Sequence, residues 1–312
     1  MTNFIKDLKE GQKISSVYLL KKKQMLKTKH NKSYLSLLLC DKSGSIEARM
    51  WDNAEIADTR VSSGSAVLVK AEVVKWRENT QMSVVDIQPA ADSEYNKEDL
   101  VRSVENIDEI LEKVRELLGS MKDKWLCLLA DEFLTDKELM PKVKVSPGAK
   151  SWHNAYIGGL LEHTYEVMFV AEKVCQLYPL ANRDLVIMGA FVHDMGKVIE
   201  IDPDTFEYTL EGGLVGHLPL GFELLSKKMD AVNNFPDDLK VHLKHIILSH
   251  HGEYDQQSPV LPKTLEATIV YHSDDLLSQA NAVREVITSQ PNSQQDWSNY
   301  ISIKNRKYLL KK

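Results

Sequence analysis

The 312-residue sequence predicts a two-domain protein, with a small all-β barrel at the N-terminus followed by an all-α domain. Residues 14–90 contain short apolar runs of period two, which is typical of strands. From Trp152 onward, apolar stretches of helical spacing alternate with short loops. Residues 1–92 hold 15 Lys and Arg against 11 Asp and Glu, a net charge of +4, whereas residues 93–312 have a net charge of −10. This uneven charge indicates two modules with different tasks.

The composition is that of a soluble globular protein, with 43% hydrophobic and 27% charged residues. No segment approaches the roughly 18 apolar residues of a membrane span, and the charged N-terminus has no apolar core of a secretory signal. The three cysteines are far apart and odd in number, which favours a reducing, cytoplasmic location. We therefore expect a cytoplasmic protein with no membrane partner. A pI near 6.0 counts against a nucleic-acid partner, but the net charge of +4 on residues 1–92 removes that objection.

Five strands are predicted in the first module, at residues 14–20, 34–40, 45–51, 65–74 and 81–87. A basic segment, 21–32, follows the first of them. A short polar helix or loop separates the third from the fourth. Five short strands with a helical insert before the fourth match an OB-fold, a partly open barrel that binds oligonucleotides.

Aromatic and basic residues cluster on the predicted second, third and fourth strands and their connections. Aromatic rings stack on bases of any identity, and lysines can follow the phosphates. The alternative is that the rings belong to the end of the barrel core and that the lysines are a solvated loop. We favour a nucleic-acid surface for the cluster as a whole, which comprises Tyr34, Arg49, Trp51, Trp76, Arg77, Lys27, Lys29 and Lys32.

A polar stretch, 91–98, leads into a connector between the modules. Apolar spacing predicts an amphipathic helix over 99–118 and helical structure over 125–133, and two prolines and a glycine interrupt the pattern at 141–150. We predict an OB-fold at 1–90, a linker with connecting helices at 91–150, a helical domain at 151–287 and a C-terminal tail at 288–312.

Nine of the ten histidines lie in the second module. Each alone has an ordinary structural explanation, such as a satisfied core histidine or the polar end of a helix. The combination does not, because Asp194 ends the apolar run 185–192 and Asp274 shares its helical face with Val270 and Leu277. A carboxylate on an apolar face needs a charge partner. Imidazoles and carboxylates together suit a divalent transition ion, and the candidates are His163, His193, Asp194, His217, His250, His251 and Asp274.

The order H…HD…D on separate helices resembles the HD-domain superfamily of metal-dependent phosphohydrolases. Five segments extend the similarity, namely GGLLEHT, VHDMGK, GHLPLG, LSHHGE and SPVLPKTLEA. With the OB-fold before them, residues from about 12 to about 280 resemble the bacterial YhaM-type 3′→5′ exoribonucleases. The resemblance implies hydrolysis of single-stranded RNA from the 3′ end to nucleoside 5′-monophosphates, with single-stranded DNA as a second candidate substrate.

The resemblance also implies a ligand set. His163, His193, Asp194 and Asp274 would hold one metal, and His217 with His250 or His251 a second, with Asp194 bridging the two. Mn²⁺ is the favoured ion, with Co²⁺, Fe²⁺ and Ni²⁺ as alternatives. Lys197 is the candidate for neutralising phosphate charge.

Lys150, His153 and Tyr156 precede the first ligand helix and are candidates for lining a substrate channel. The family often carries two histidines where this chain has His153 and Asn154, so the role of this segment is open.

Two other functions stay open at the level of sequence. One is an HD hydrolase of a small nucleotide, such as a dNTP, a cyclic nucleotide or a guanosine alarmone, against which the attached OB-fold counts. The other is a single-strand-binding protein with an inactive HD site, against which the complete ligand set counts. The sequence does not fix the oligomeric state, and a homo-oligomer is a candidate.

Overall fold

A computed structural model describes residues 3–76, 79–150, 154–288, 296–298, 300–301 and 305–310. The chain divides into two compact units between Ser103 and Val104. The first is a barrel and the second is helical, so the predicted fold class is confirmed.

The first unit is a closed five-stranded barrel in the order β1-β2-β3-β5-β4, with β4 returning to pair with β1. Its strands are β1 (Lys13–Lys27), β2 (Ser33–Asp41), β3 (Gly44–Met50), β4 (Ala66–Trp76) and β5 (Asn79–Pro89). Helix α1 (Ala54–Arg60) lies between β3 and β4 and buries Ala54 and Ala57 in the barrel core. Pairing is antiparallel except for β3 with β5. Every second residue of β2 and β3 points into the barrel, and the residues between them face outward.

The first strand is longer than the sequence predicts. Residues 21–27, predicted as part of a basic segment after the strand, continue β1 beyond a register shift between Leu20 and Lys22. They pair with β2 as a ribbon in which Lys27 opposes Ser33. Alternating exposure lets the lysine side chains reach water while the backbone stays paired. The charge of the segment therefore does not exclude a strand.

The second unit is built from helices around one hydrophobic core. Helix α7 is buried on all sides from Leu185 to Val192, as expected for a helix that is apolar all round. The helices outside the barrel are α2 (Lys97–Leu100), α3 (Ile107–Gly119), α4 (Lys124–Leu134), α5 (Leu139–Val145), α6 (Gly159–Cys175), α7 (Arg183–Val192), α8 (Lys197–Glu200), α9 (Leu210–Val215), α10 (His217–Ala231), α11 (Asp237–Ser249) and α12 (Leu265–Thr288).

The connector differs from the predicted linker. The single helix predicted over 99–118 is two helices, because Leu100 packs with the barrel residues Val17 and Leu19 whereas α3 begins after Asn106 and packs in the helical core. Helices α4 and α5 belong to that core as well. Pro141 does not end a helix, since it lies in the first turn of α5, where its missing N–H is not needed.

Among the described residues, no helix is long and apolar enough to cross a membrane.

Replacing Phe133 tests the helical core. Its ring is fully buried and meets the ring of Phe191 edge to face at 5.6 Å. We expect Phe133→Ala to lower the free energy of unfolding by about 3–5 kcal/mol, because it removes buried contacts and leaves a cavity. Leu128→Ala, on the exposed side of the same helix, is the control and should cost under about 1 kcal/mol. Urea unfolding followed by circular dichroism measures both, and equal costs would contradict this packing.

Candidate metal centre and nucleic-acid interface

The predicted ligands come from five helices of the second unit. His163 lies in α6 and Asp274 in α12, while His193 and Asp194 directly follow the buried helix α7. His217 begins α10, and His250 and His251 follow α11. Most of these residues sit at helix ends, where the chain turns inward to one small region.

His163, His193 and Asp194 form a first cluster that is almost completely buried. Nε2 of His163 lies 3.7 Å from Oδ2 of Asp194 and 3.0 Å from Oδ1 of Asp274. Nε2 of His193 lies 3.4 Å from the same Asp194 oxygen. Asp274 therefore joins this cluster through His163.

His217, His250 and His251 form a second cluster. Nε2 of His217 lies 3.1 Å from Nε2 of His251. Nε2 of His250 and Nε2 of His217 lie 3.4 and 3.6 Å from Oδ1 of Asp194. The sequence left open whether His250 or His251 accompanies His217, and the structure brings both of them to it.

Asp194 stands between the two clusters. Its Oδ2 faces His163 and His193, whereas its Oδ1 faces His217 and His250. Each oxygen of one carboxylate is thus directed at a different group of imidazoles, which is the arrangement that a bridging aspartate requires.

Hydrogen bonds at the opposite ring nitrogens fix the orientation of four histidines. Nδ1 of His193 donates to the carbonyl of Ala190, and Nδ1 of His250 donates to the carbonyl of Ile247. Nδ1 of His251 donates to the carbonyl of Gln256. Nδ1 of His217 donates to Oε1 of Glu200 at 3.1 Å. Because these partners only accept, each ring in its neutral form carries its hydrogen on Nδ1 and presents a lone pair on Nε2.

The polar atoms that face the centre fit a cation. Nε2 of His193, Nε2 of His250 and Oδ1 of Asp194 are buried without a hydrogen-bond partner. The lone pairs of His217 and His251 point at each other across 3.1 Å, a contact that repels unless a positive charge lies near it. Buried polar atoms without partners are rare in proteins, so the centre is suited to a divalent metal, with imidazoles oriented as metal ligands usually are.

The pKa shifts agree with this distribution of charge. Burial, with further repulsion from His250 and His217, lowers the pKa of His251 to about 4, and burial also lowers the pKa of His250. Both rings are therefore neutral at pH 7 and able to act as ligands. Burial opposes ionisation of Asp194, but the charge of Lys197, together with the adjacent imidazoles, outweighs it and holds the pKa of Asp194 well below the usual range.

Lys197 forms an ion pair with Asp194, at 2.6 Å from Nζ to Oδ2. Burial opposes its charge, but Asp194 outweighs burial and raises the pKa of the lysine. The predicted phosphate-neutralising lysine is thus charged and lies in the centre.

Two positions that the sequence reasoning missed support the second cluster. Glu200 is buried and accepts from both the backbone N–H and Nδ1 of His217. Gly196 lets α10 approach, since a Cβ there would lie 2.0 Å from the carbonyl oxygen of His217. The one available signal was a carboxylate, Glu200, on the apolar segment that follows the His-Asp pair.

A pocket of about 220 Å³ opens onto the centre. Part of its wall is Asp194, Lys197, His250, His251 and Asp274, and the rest is Gln256, Tyr271, Asp275 and Ser278. Ser278 donates to Asp274, and Gln279 donates to Asp275.

Two of the predicted channel residues, Lys150 and Tyr156, are described by the structure and are not part of this lining. Tyr156 is buried and donates to Glu162, within a network that includes Asn154. Lys150 forms an ion pair with Glu207. His153 lies outside the described residues.

The predicted nucleic-acid residues of the barrel form two pairs. Tyr34 and Trp51 stack on each other, with ring centroids 4.6 Å apart, instead of presenting two separate rings. The guanidinium of Arg49 lies 5.9 Å from the ring of Trp76, which is 54% exposed.

The predicted basic residues of the barrel differ in their surroundings. Lys27 and Lys29 are exposed, whereas Lys32 forms an ion pair with Asp52 at 3.0 Å. Arg77 lies outside the described residues.

Comparisons with known proteins match both units. Residues 18–90 match the family model of an OB-fold nucleic-acid-binding domain, and residues 160–278 match that of the HD domain. The protein named 3′-5′ exoribonuclease YhaM from Listeria welshimeri is 31% identical over 90% of both chains. This chain belongs to the YhaM family. The family member from Bacillus velezensis is 30% identical over 85% of both chains, and that from Bacillus subtilis is 29% identical over 87% of this chain and 86% of its own.

The two family matches cover both of the regions described above. The HD match begins before His163 and ends after Asp274, so it contains all seven predicted ligands. The OB-fold match contains Tyr34, Arg49, Trp51 and Trp76.

Replacing Glu200 tests how the second cluster is oriented. We expect Glu200→Gln to weaken binding of Mn²⁺ by about 10–100-fold, because the amide no longer holds the Nδ1–H tautomer of His217 as a carboxylate does. Calorimetric titration of chelator-stripped protein measures the affinity. Glu211→Gln, at an exposed position of α9, should leave the affinity unchanged. Equal affinities of Glu200→Gln and the unmodified protein would show that Glu200 does not act on a metal ligand.

Proposed function

We propose that this chain is a metal-dependent 3′→5′ exoribonuclease that hydrolyses single-stranded RNA to nucleoside 5′-monophosphates. The observation that carries the proposal is the buried Asp194, which directs one carboxylate oxygen at each of two imidazole clusters beside an open pocket. Membership of a family whose members are named 3′-5′ exoribonucleases supplies the polarity and the substrate.

The same residues support a centre of two divalent ions. His163, His193, Asp194 and Asp274 would hold one ion, and Asp194, His217, His250 and His251 the other. Mn²⁺ is our first choice and Co²⁺, Fe²⁺ and Ni²⁺ are the alternatives, since mixed imidazole and carboxylate ligands accept all four. Such ions, when bound, polarise the scissile phosphate and activate the attacking water.

The protein's own side chains prepare the pocket for a phosphodiester. Lys197 supplies a fixed positive charge against the phosphate oxygens, and Asp194 holds its Nζ in place. The buried positions of His193 and His250 exclude bulk water from one side of the reacting group, which strengthens every charge interaction there. The acids and imidazoles are oriented before substrate arrives, so little reorganisation accompanies the reaction.

The barrel would hold the RNA strand. The paired rings of Tyr34 and Trp51 offer an aromatic surface for a base, and Arg49 beside Trp76 offers a cation next to a second ring. Lys27 and Lys29 can follow phosphates. A strand held by one module is at high effective concentration for the other module of the same chain.

We also propose a cytoplasmic location, supported by three free cysteines, Cys40, Cys127 and Cys175.

The central assay uses a 5′-labelled single-stranded RNA with Mn²⁺. We expect stepwise shortening from the 3′ end and release of 5′-monophosphates, both stopped by a chelator. Asp194→Asn should lower the rate by at least about 10³-fold while binding of the RNA is kept, because it removes the shared carboxylate but leaves the barrel intact.

Asp255→Asn, at an exposed acid on a 3₁₀ turn, is the matched control and should cleave normally. Single-stranded DNA and duplex RNA run beside the RNA define the substrate. Absence of cleavage with each of Mn²⁺, Co²⁺, Fe²⁺, Ni²⁺ and Mg²⁺ would refute the enzymatic proposal.

A second test addresses the barrel surface. Trp51→Ala removes half of the stacked pair, and loss of a base-stacking ring costs about 1–3 kcal/mol, so RNA affinity should fall about 5–150-fold. Cleavage of a small phosphodiester such as bis(p-nitrophenyl) phosphate should not change. Val85→Ala, at an exposed apolar residue of β5, is the control and should bind RNA normally. Unchanged RNA affinity of Trp51→Ala, measured by fluorescence anisotropy, would remove this residue from the interface.

A further inference from the structure

The pocket has a second part that the metal centre does not use. Gln256, Tyr271 and Asp275 line it, and the hydrogen bonds of the two clusters involve none of their side chains. Asp275 is the neighbour of Asp274 in sequence, yet its carboxylate accepts from Gln279 whereas that of Asp274 meets His163 and Ser278. The two adjacent acids therefore have different surroundings and need separate explanations.

The pocket is small. About 220 Å³ is less than the roughly 300–1,000 Å³ of pockets that enclose drug-sized ligands. A phosphate and the sugar attached to it fit this volume better than a whole nucleotide with its base. The phosphate belongs beside Lys197 and the ligand cluster, which leaves the sugar for the part lined by Tyr271 and Asp275.

The position of Tyr271 is fixed by a glycine. Gly252 has φ of +77°, and a Cβ at this residue would lie 2.1 Å from the Tyr271 ring. The ring thus lies directly against the backbone of the turn that follows His250 and His251. On its other side the ring forms part of the pocket wall.

A carboxylate in this place selects for hydroxyl groups. A carboxylate offers hydrogen-bond acceptors and no donors, so Asp275 suits donors such as the 2′ and 3′ hydroxyls of a terminal ribose. Gln279 holds one of its oxygens at 2.7 Å. A phosphate at the same place would set like charges against each other at short range, which is strongly unfavourable in a partly enclosed site.

We propose that Asp275 is a specificity-determining residue that binds the 2′,3′-diol of the 3′-terminal ribose and rejects RNA ends that carry a 3′-phosphate. The proposal rests on the proposed exoribonuclease function and adds to it the chemical nature of the end that is accepted. The terminal diol lies against Asp275, and the sugar lies against the Tyr271 wall. The phosphate on the 5′ side of that sugar is then directed to Lys197.

The test compares three RNA oligonucleotides that differ only at the last sugar, which ends in a 2′,3′-diol, a 2′-deoxy 3′-hydroxyl or a 3′-phosphate. For the unmodified protein we expect kcat/KM to be at least about tenfold lower for the 2′-deoxy end and lower still for the 3′-phosphate. Asp275→Asn keeps the shape but removes the charge. It should reduce the preference for the diol over the 3′-phosphate by at least about tenfold.

Binding gives a second readout that does not depend on hydrolysis. In calorimetric titrations with Mn²⁺ present, 5′-AMP should bind the unmodified protein more tightly than adenosine 3′,5′-bisphosphate, and Asp275→Asn should narrow this difference. Asp255→Asn carries the same change of charge at an exposed site outside the pocket lining and should leave both preferences as they are.

The outcomes separate the two proposals. If the diol-ended RNA is shortened to 5′-monophosphates but Asp275→Asn changes cleavage of all three ends by one common factor, the role of Asp275 is wrong and the exoribonuclease function stands. The same holds if Asp255→Asn alters the preference as strongly. If the unmodified protein shortens none of the three, both proposals fail.

Discussion

The buried carboxylate of Asp194 is the interaction on which the rest of the helical unit depends. An ionised group that is 2% exposed is unstable unless charges surround it. Lys197 supplies one such charge at 2.6 Å, and both of the carboxylate oxygens face imidazoles that approach from four different helices or helix ends. Packing that misplaced any of these helices would leave a buried charge without its partners. The same helix positions therefore satisfy both the hydrophobic core and the charge of Asp194.

Helix α7 links the hydrophobic core directly to the metal centre. Its residues from Leu185 to Val192 are buried in the hydrophobic core, and the chain continues directly into His193 and Asp194. The core therefore fixes the position of the His-Asp pair to within the tolerance of side-chain packing. Glu200 and Gly196 perform the same task for His217, one by accepting its two N–H groups and the other by leaving room for α10. The side chains of the centre are thus oriented by the protein's own packing and hydrogen bonds.

The sequence was sufficient to predict which histidines and aspartates converge, but not what orients them. Asp194 and Asp274 were recognisable because a carboxylate on an apolar face contradicts ordinary burial preferences. Glu200 was not, since its partner lies 17 residues away and meets it only because α8 and α10 pack closely. The carbonyl acceptors of His193, His250 and His251 are backbone atoms and leave no trace in the residue types. The barrel followed from period-two patterns, whereas the continuation of β1 through its lysines depended on pairing with β2.

The uneven charge of the two units affects where RNA can bind. A net charge of −10 over residues 93–312 repels a polyanion at long range, while the first 92 residues carry +4. Attraction of RNA therefore has to come mainly from the barrel. At the pocket, where Asp194, Asp274 and Asp275 outnumber Lys197, it would depend on bound cations. Repulsion elsewhere disfavours strands that lie across the helical unit without an end in the pocket. The net negative charge of the helical unit thus disfavours contact with the interior of a strand, which agrees with action at a strand end.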